Sequence, residues 1–510
     1  TYPSYALNLA QLGALCISNL CATKPSESNI FKKCNSHSES LTSDKKWYPL
    51  NKGGDFRRWY GNEEHVVNFK KDGEELKKFE KYGERNPELY FKEGLSWTKI
   101  TSSFFSVRYS STGHLYDDAS CVCVAKDNTN LYSIIGLLNS NVASLLLSSI
   151  SQTLNFSPGE ISRIPTKLLL SDETIRKLIL FSKSDWDSYE NSLDFTENPI
   201  IRTGQPILEQ AFNTWQQQNA DAVAEMKRLE EENNKLFIDA YGLQDELTPD
   251  VPDEQITLTR ADREKDSQRL VSYALGCMMG RYSLDESGLI YAHAGNQDFD
   301  ASCYQKFPAD ADGIIPLTEM HWFEDDATHR IQEFLTAVWG KDTLDANMLW
   351  LAESLDKKAS ETAEDTIRRY LASKFYKDHM QTYKKRPIYW LFSSGKQGAF
   401  QALVYLHRYN ESTLARMRTE YVMPLISKMA AHSNSLENEI ENSDSAAEIK
   451  RKEKELQNLH KQQAELSSFE EKLRHYADQR ISLDLDDGVK VNYGKFGDLL
   501  AEVKAVTGEK

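Results

Sequence analysis

"SWTKITSSFFSVRYSSTGHLYDDASCVCVAK", residues 96–126, alternates apolar and polar side chains and is punctuated by Ser-Thr-Gly and Asp-Asp. A period of two with turn residues between the runs predicts short, half-buried β-strands. Strand-and-turn character extends from Trp47 to about Pro165, around the apolar stretch "LYSIIGLLNSNVASLLLSSI" at 131–150. Asn139, Asn141 and five serines interrupt that stretch, so it reads as one buried helix rather than a membrane span, which needs about 18 uninterrupted apolar residues. Farther along, the period changes. In "AFNTWQQQNADAVAEMKRLEEENNKLFIDAYGL", 211–243, Phe212, Trp215, Val223, Met226, Leu229, Leu236 and Phe237 recur at helical spacing until Pro249 and Pro252 end the run.

Helical patterns continue to about Tyr383. "RPIYWLFSSGKQGAFQALVYLHRYN", 386–410, then reads as two strands around a Ser-Ser-Gly-Lys turn. A long charged stretch from Ser412 to about Tyr476 breaks near 441–446, and Leu456, Leu459, Leu466, Leu473 and Tyr476 fall on a rough heptad, so an antiparallel helical pair is expected. The fold class expected is α+β, mainly α. The parts are a lead-in segment at 1–46, a mixed α/β domain at 47–200, a helical domain at 201–383, and a hairpin, long helical pair and terminal segment at 384–510.

At 510 residues the chain is long enough for about three domains. The N-terminal apolar stretch lacks a basic flank and an initiator methionine; a signal peptide is not expected, and the chain reads as the downstream part of something longer. Seven cysteines at irregular spacing, with Cys121 and Cys123 too close together for ordinary chelation, indicate thiols in a reducing cytoplasm. The net charge of −16 argues against indiscriminate coating of nucleic acid, yet residues 47–110 hold 12 Lys/Arg against 10 Asp/Glu, a local +2. That bias suits a DNA contact assisted by a partner domain.

Catalytic signatures are missing: there is no GxGxxG, P-loop, HExxH or GxSxG, and no metal site is expected. "EEENNKLF" reads as a solvated helix face, "WFEDDATH" as an N-cap at Asp325 or Asp326, and "LDLDDGV" lacks the length and final Glu of a calcium loop.

"WYPLNKGGDFRRWYGN", "TLNFSPGEISRIP", "NKLFIDAYGLQDEL", "SYALGCMMGRYSLDESGLIYA", "IIPLTEMHWFEDDATHRIQEFL", "RPIYWLFSSGKQGAFQALVYLHRY" and "DLDDGVKVNYGKF" together resemble the downstream half of the PglX family, the adenine-specific DNA methyltransferases of BREX phage-defence systems. The resemblance runs from about Trp47 to the C-terminus. It implies a DNA target-recognition domain at 47–200, double-stranded DNA as partner, and an upstream domain, in cis or as a separate chain, that holds S-adenosylmethionine and an Asn-Pro-Pro-Tyr/Phe motif. Here the Asn-Pro pairs are "RNPEL" and "ENPII", so no cofactor is expected on this chain and it would not methylate alone. The alternative is an interaction scaffold whose helices bind other phage-defence proteins.

For DNA, the opening loop supplies the first candidates. Gly53 and Gly54 let backbone approach a phosphate, Lys52, Arg57 and Arg58 can neutralise phosphates or clamp a guanine edge, and Trp59 and Tyr60 can stack on a displaced base, with Asn62 beside them. Equally, Trp59 can be core, with an arginine paired to Asp55. Arg108 on a strand, Thr153, Asn155 and Arg163 around the loop after the apolar helix, and Lys385 and Arg386 before the later hairpin complete the set.

Overall fold

The computed structural model describes residues 17–19, 30–79, 82–83, 86–125, 131–150, 154–167, 169 and 172–508. The chain divides into two compact units. The first comprises the N-terminal part to Pro199 together with Phe212–Asp262; the second takes Ile200–Ala211 and Arg263–Lys510. As expected, the described residues are mainly helical with small sheets.

Among the described residues, the first unit holds two sheets. In one, β1 (Ile17–Asn19), β3 (His65–Asn68) and β2 (Trp47–Asn51) are antiparallel neighbours, and β6 (Leu115–Tyr116) joins β2 in parallel. In the other, β4 (Gly94–Thr98) lies between β5 (Val107–Ser110) and β7 (Ser120–Cys123), antiparallel to both. The alternation read at 96–126 therefore marks real strands. Lead-in residues 30–46 are not separate from this fold: Ile30 bridges Trp47, and Cys34 is buried with Tyr48, Phe69 and Phe91.

The apolar stretch at 131–150 departs from expectation. It forms two helices, α1 (Leu131–Leu138) and α2 (Asn141–Ile150), bent by 68° at the break. The side chain of Asn139 is the reason. It accepts from the backbone N–H of Val107 and donates to the same residue's carbonyl, both at 2.9 Å, while Ser140 Oγ accepts from Ala143 N. A buried side chain that mimics a strand partner ends one helix, and a serine cap starts the next. By itself, no described helix is long and apolar enough to cross a membrane; the bent pair passes on length and composition, and Val142, Ala143 and Leu147 are buried in the unit's core.

The chain passes from the first unit to the second at Ile200, returns to the first at Phe212 and leaves it again at Arg263, so the segment expected as one helical domain at 201–383 is shared between the units. α3 (Asp172–Trp186) and most of α4 (Leu208–Tyr241) pack on the second sheet, putting Ile175, Leu178, Met226, Leu229 and Phe237 into one core with Trp59, Trp97 and Val107. Buried apolar area drives that association irrespective of chain order.

In the second unit, β9 (Tyr389–Ser393) and β10 (Gln401–Tyr405) form the anticipated hairpin, and β8 (Ile314–Pro316) adds to β10. Around them lie α5 (Arg263–Met278), α6 (Ala327–Trp339), α7 (Leu344–Ser354), α8 (Ala363–Ser373) and α9 (Phe375–Thr382). α10 (Met423–Glu441) and α11 (Ala446–Asp478) make the expected antiparallel pair, with Lys452 against Glu439 and Gln463 against Ser433. The heptad leucines Leu459, Leu466 and Leu473 are buried, as are Leu425, Met429 and Leu436 of the preceding helix, while Leu456 and Tyr476 are half-buried. Asp326 is the N-cap of α6, accepting from His329 N at 2.9 Å and binding Arg368.

One carboxylate in this unit is strongly perturbed. Asp312 lies 3.0 Å from the Tyr421 hydroxyl, and burial, aided by neighbouring Asp310, pushes its pKa up from 3.8 to about 7. Between those values the folded protein binds the proton and the unfolded chain does not. Stability is therefore expected to fall as pH rises from about 4 to about 7. Asp312→Asn should flatten that slope in urea midpoints measured across the window; an unchanged slope would assign the pH dependence elsewhere.

Candidate nucleic-acid interface

The opening loop, residues 52–64, runs from β2 to β3 of the first unit. Gly53 and Gly54 have φ of 80° and 152°, which side-chain-bearing residues avoid, and a Cβ on Gly53 would come within 3.0 Å of the Ala119 carbonyl. Gly54 is pinned to β4: its N–H donates to Thr98 Oγ1 at 3.1 Å, and that hydroxyl donates to its carbonyl at 3.0 Å. Asn62, also at positive φ, donates to the Asp55 carbonyl at 2.9 Å and closes the loop.

Arg57 and Arg58 are turned into the unit, which corrects their expected surface role. Arg57 Nη2 donates to Asp185 Oδ2 at 2.6 Å, its Nε donates to the Tyr60 carbonyl, and its guanidinium lies over the Trp186 ring. Arg58 is 4% exposed; it donates to Glu230 Oε2 at 2.6 Å and to Gln255 Oε1 at 2.8 Å. Trp59 is fully buried, with Nε1 donating to the other oxygen of Glu230 at 2.7 Å. Neither arginine pairs with Asp55; the partners are on α3 and α4. Tyr60 is buried as well, donating to Glu63 at 2.8 Å beneath the ammonium of Lys183, so its ring is not presented for stacking on a base.

Arg108, on β5, is buried too, but without a matching carboxylate. Its Nη2 reaches Thr98 Oγ1 at 3.5 Å, Nη1 has no partner, and burial pushes its pKa down to about 10 with Glu63 opposing. It thus lies behind the hydroxyl that holds Gly54.

The surface of this loop cluster combines apolar side chains with the half-buried Lys52 and Lys99 and the exposed acids Asp55 and Asp118. Gly54 is exposed as well. Ile100 and Phe104, in the loop between β4 and β5, are 66% and 53% exposed, and Leu154 is 58% exposed. Ile100 bridges Asn155, Thr101 N donates to the Leu154 carbonyl, and Phe104 packs on Phe56 with ring centroids 5.5 Å apart. The structure therefore brings together Lys52, Gly53, Gly54, Asn62, Arg108 and Asn155 of the expected set. It adds Lys99, Ile100, Phe104 and Leu154, which no motif or spacing in the sequence singled out. Arg163 is exposed after the short helix Pro158–Ile161, whose Ser157 and Glu160 form a capping box. Thr153 lies outside the described residues. Lys385 is exposed and Arg386 half-buried; both belong to the second unit, in the turn between α9 and β9. Among the described residues no group of three His, Cys, Asp or Glu side chains could hold a metal.

Two relatives give this surface a context. Over 492 residues the chain is 42% identical to the adenine-specific methyltransferase BrxX of Escherichia coli O9:H4 (strain HS), covering 91% of this chain and 40% of that protein. Over 478 residues it is 39% identical to the adenine-specific methyltransferase PglX of Lacticaseibacillus casei (strain Zhang), covering 90% and 39%. No family model matches the chain. The relatives' class is adenine-specific methyltransferase, and the chain is a PglX-like sequence. It spans about 40% of the length of the curated relatives it matches.

Proposed function

We propose that the chain is the DNA sequence-recognition and C-terminal portion of a BREX-type adenine-specific (N6) DNA methyltransferase, serving host-DNA modification and phage defence. Methyl transfer and S-adenosylmethionine binding belong to a part of the longer protein outside this chain. The observation that carries the reading is the match along nine-tenths of this chain to methyltransferases of which it spans about two-fifths, in a sequence without an Asn-Pro-Pro-aromatic motif.

For DNA contact the geometry favours the exposed loop cluster of the first unit. Lys52 and Lys99 supply cations, and the exposed Gly54 lets a partner come close to the backbone. Ile100, Phe104 and Leu154 are apolar side chains of the kind that enter a groove or press against thymine methyls. Arg108 adds a buried positive charge behind the loop.

Lys52→Ala with Lys99→Ala is expected to weaken binding to every duplex and to lower the slope of log affinity against log salt by about two, one per phosphate contact. Fluorescence anisotropy across a salt series, on the chain and on the full-length protein, measures both. A double variant that folds normally and keeps affinity and slope would move the DNA face elsewhere. Absence of duplex binding by the full-length protein would favour a scaffold role.

A further inference from the structure

Arg281, which follows α5, is 1% exposed, and its charge is not matched. Its Nη1 donates to the Tyr383 hydroxyl at 2.9 Å, but Nε and Nη2 are buried and reach no acceptor. Other buried arginines of this unit are satisfied. Arg408 donates to Asn296 Oδ1 and to the carbonyls of Asp310 and Ala311, and Arg368 binds Asp326. Arg281 instead faces aromatic rings, with Tyr282 and Tyr383 centroids 5.0 and 5.6 Å from its guanidinium carbon.

His379 belongs to the same buried cluster. Its ring lies 4.6 Å from Tyr383 and is stacked on Tyr389 at 4.8 Å. The backbone N–H groups of Ile388 and Tyr389 both donate to His379 Nε2, each at 3.1 Å. That occupies the Nε2 lone pair and puts the ring hydrogen on Nδ1. His379 Nδ1 is buried without an acceptor. His407, packed on Tyr405, likewise has a buried Nδ1 with no partner. Burial and the nearby Arg281 push the pKa of both histidines down, to about 3 for His407. The cluster thus contains one cation, neutral imidazoles and donors that lack acceptors. A buried cation in this setting is strongly unfavourable unless a negative charge meets it.

We propose that this buried cluster binds a small inorganic anion of about chloride size, held by the Arg281 guanidinium and the His379 Nδ1–H. The choice of a small anion follows the packing: a Cβ on Gly276 would fall 2.5 Å from Tyr282 and 3.0 Å from the Tyr389 hydroxyl, so the aromatic side chains around Arg281 are closely packed. The anion neutralises Arg281 and ties α5, α9 and the β9–β10 hairpin together.

Bromide is the probe. In crystals of the chain grown in sodium bromide, an anomalous peak is expected within hydrogen-bonding distance of Arg281; an ordered water there, or no peak, overturns the proposal. In solution, the melting temperature should be about 2–4 °C higher in chloride or bromide than in gluconate at equal ionic strength. Arg281→Met should abolish that difference. Equal melting in all three salts, or a difference that persists in a folded Arg281→Met variant, also overturns it. Should Arg281→Met not fold, the bromide map, which needs no variant, decides.

Discussion

Glu230→Ala is expected to destabilise the first unit by about 3–5 kcal/mol, because it removes one partner of a buried ion pair and leaves the other charged. Glu230 is 2% exposed and accepts from Arg58 with one oxygen and from Trp59 Nε1 with the other. Without it, the Arg58 guanidinium keeps only Gln255 as a side-chain acceptor, and the indole N–H is stranded in the core. Replacing both partners tests the cause. Arg58→Met with Glu230→Met should recover part of the loss, since an apolar pair of similar volume carries no desolvation cost. Guanidinium unfolding followed by tryptophan fluorescence provides the measurement. A loss below about 1 kcal/mol in Glu230→Ala would show that the pair is not the anchor of the loop.

Arg408→Ala in the second unit is expected to cost about 3–5 kcal/mol, by combining a cavity with unsatisfied acceptors. The guanidinium lies 3.7 Å from the Phe299 centroid, and its side chain lines the backbone at Gly313, where a Cβ would come within 2.9 Å. Asn296 Oδ1 and the carbonyls of Asp310 and Ala311 would lose their donor. Arg408→Lys would keep the charge but not the fork of donors, so its loss should approach that of alanine. Thermal unfolding of the two variants tests this; a lysine variant as stable as the parent would reduce the role of Arg408 to charge alone.

Local periodicity carried the elements into view. The alternation around Trp97 and Val107, the hairpin of β9 and β10, and the leucines at 459, 466 and 473 are each properties of adjacent residues, and strands or helices obey them wherever they pack. The family resemblance was legible for a related reason: long ordered stretches such as "WYPLNKGGDFRRWYGN" are themselves the signal. Sequence also singled out the glycine loop after β2 as special, since Gly53 and Gly54 require backbone angles that other residues avoid.

Which way the loop's side chains turn was decided by the tertiary structure. Arg57 and Arg58 looked like surface cations because nothing within a turn of them could neutralise both. Their carboxylates, Asp185 and Glu230, lie 128 and 172 residues away, on helices whose place against the sheet is set by apolar burial. The break between α1 and α2 has the same origin: Asn139 finds its partner on a strand 32 residues upstream. Exposure of Ile100 and Phe104 was equally hidden, because a side chain's character does not reveal whether a core lies opposite it. The sequence by itself determined the elements, their order and the kinship with adenine-specific methyltransferases. Only the tertiary structure decided which charges are spent inside the protein and which remain at its surface, because burial and pairing depend on what the folded chain brings alongside.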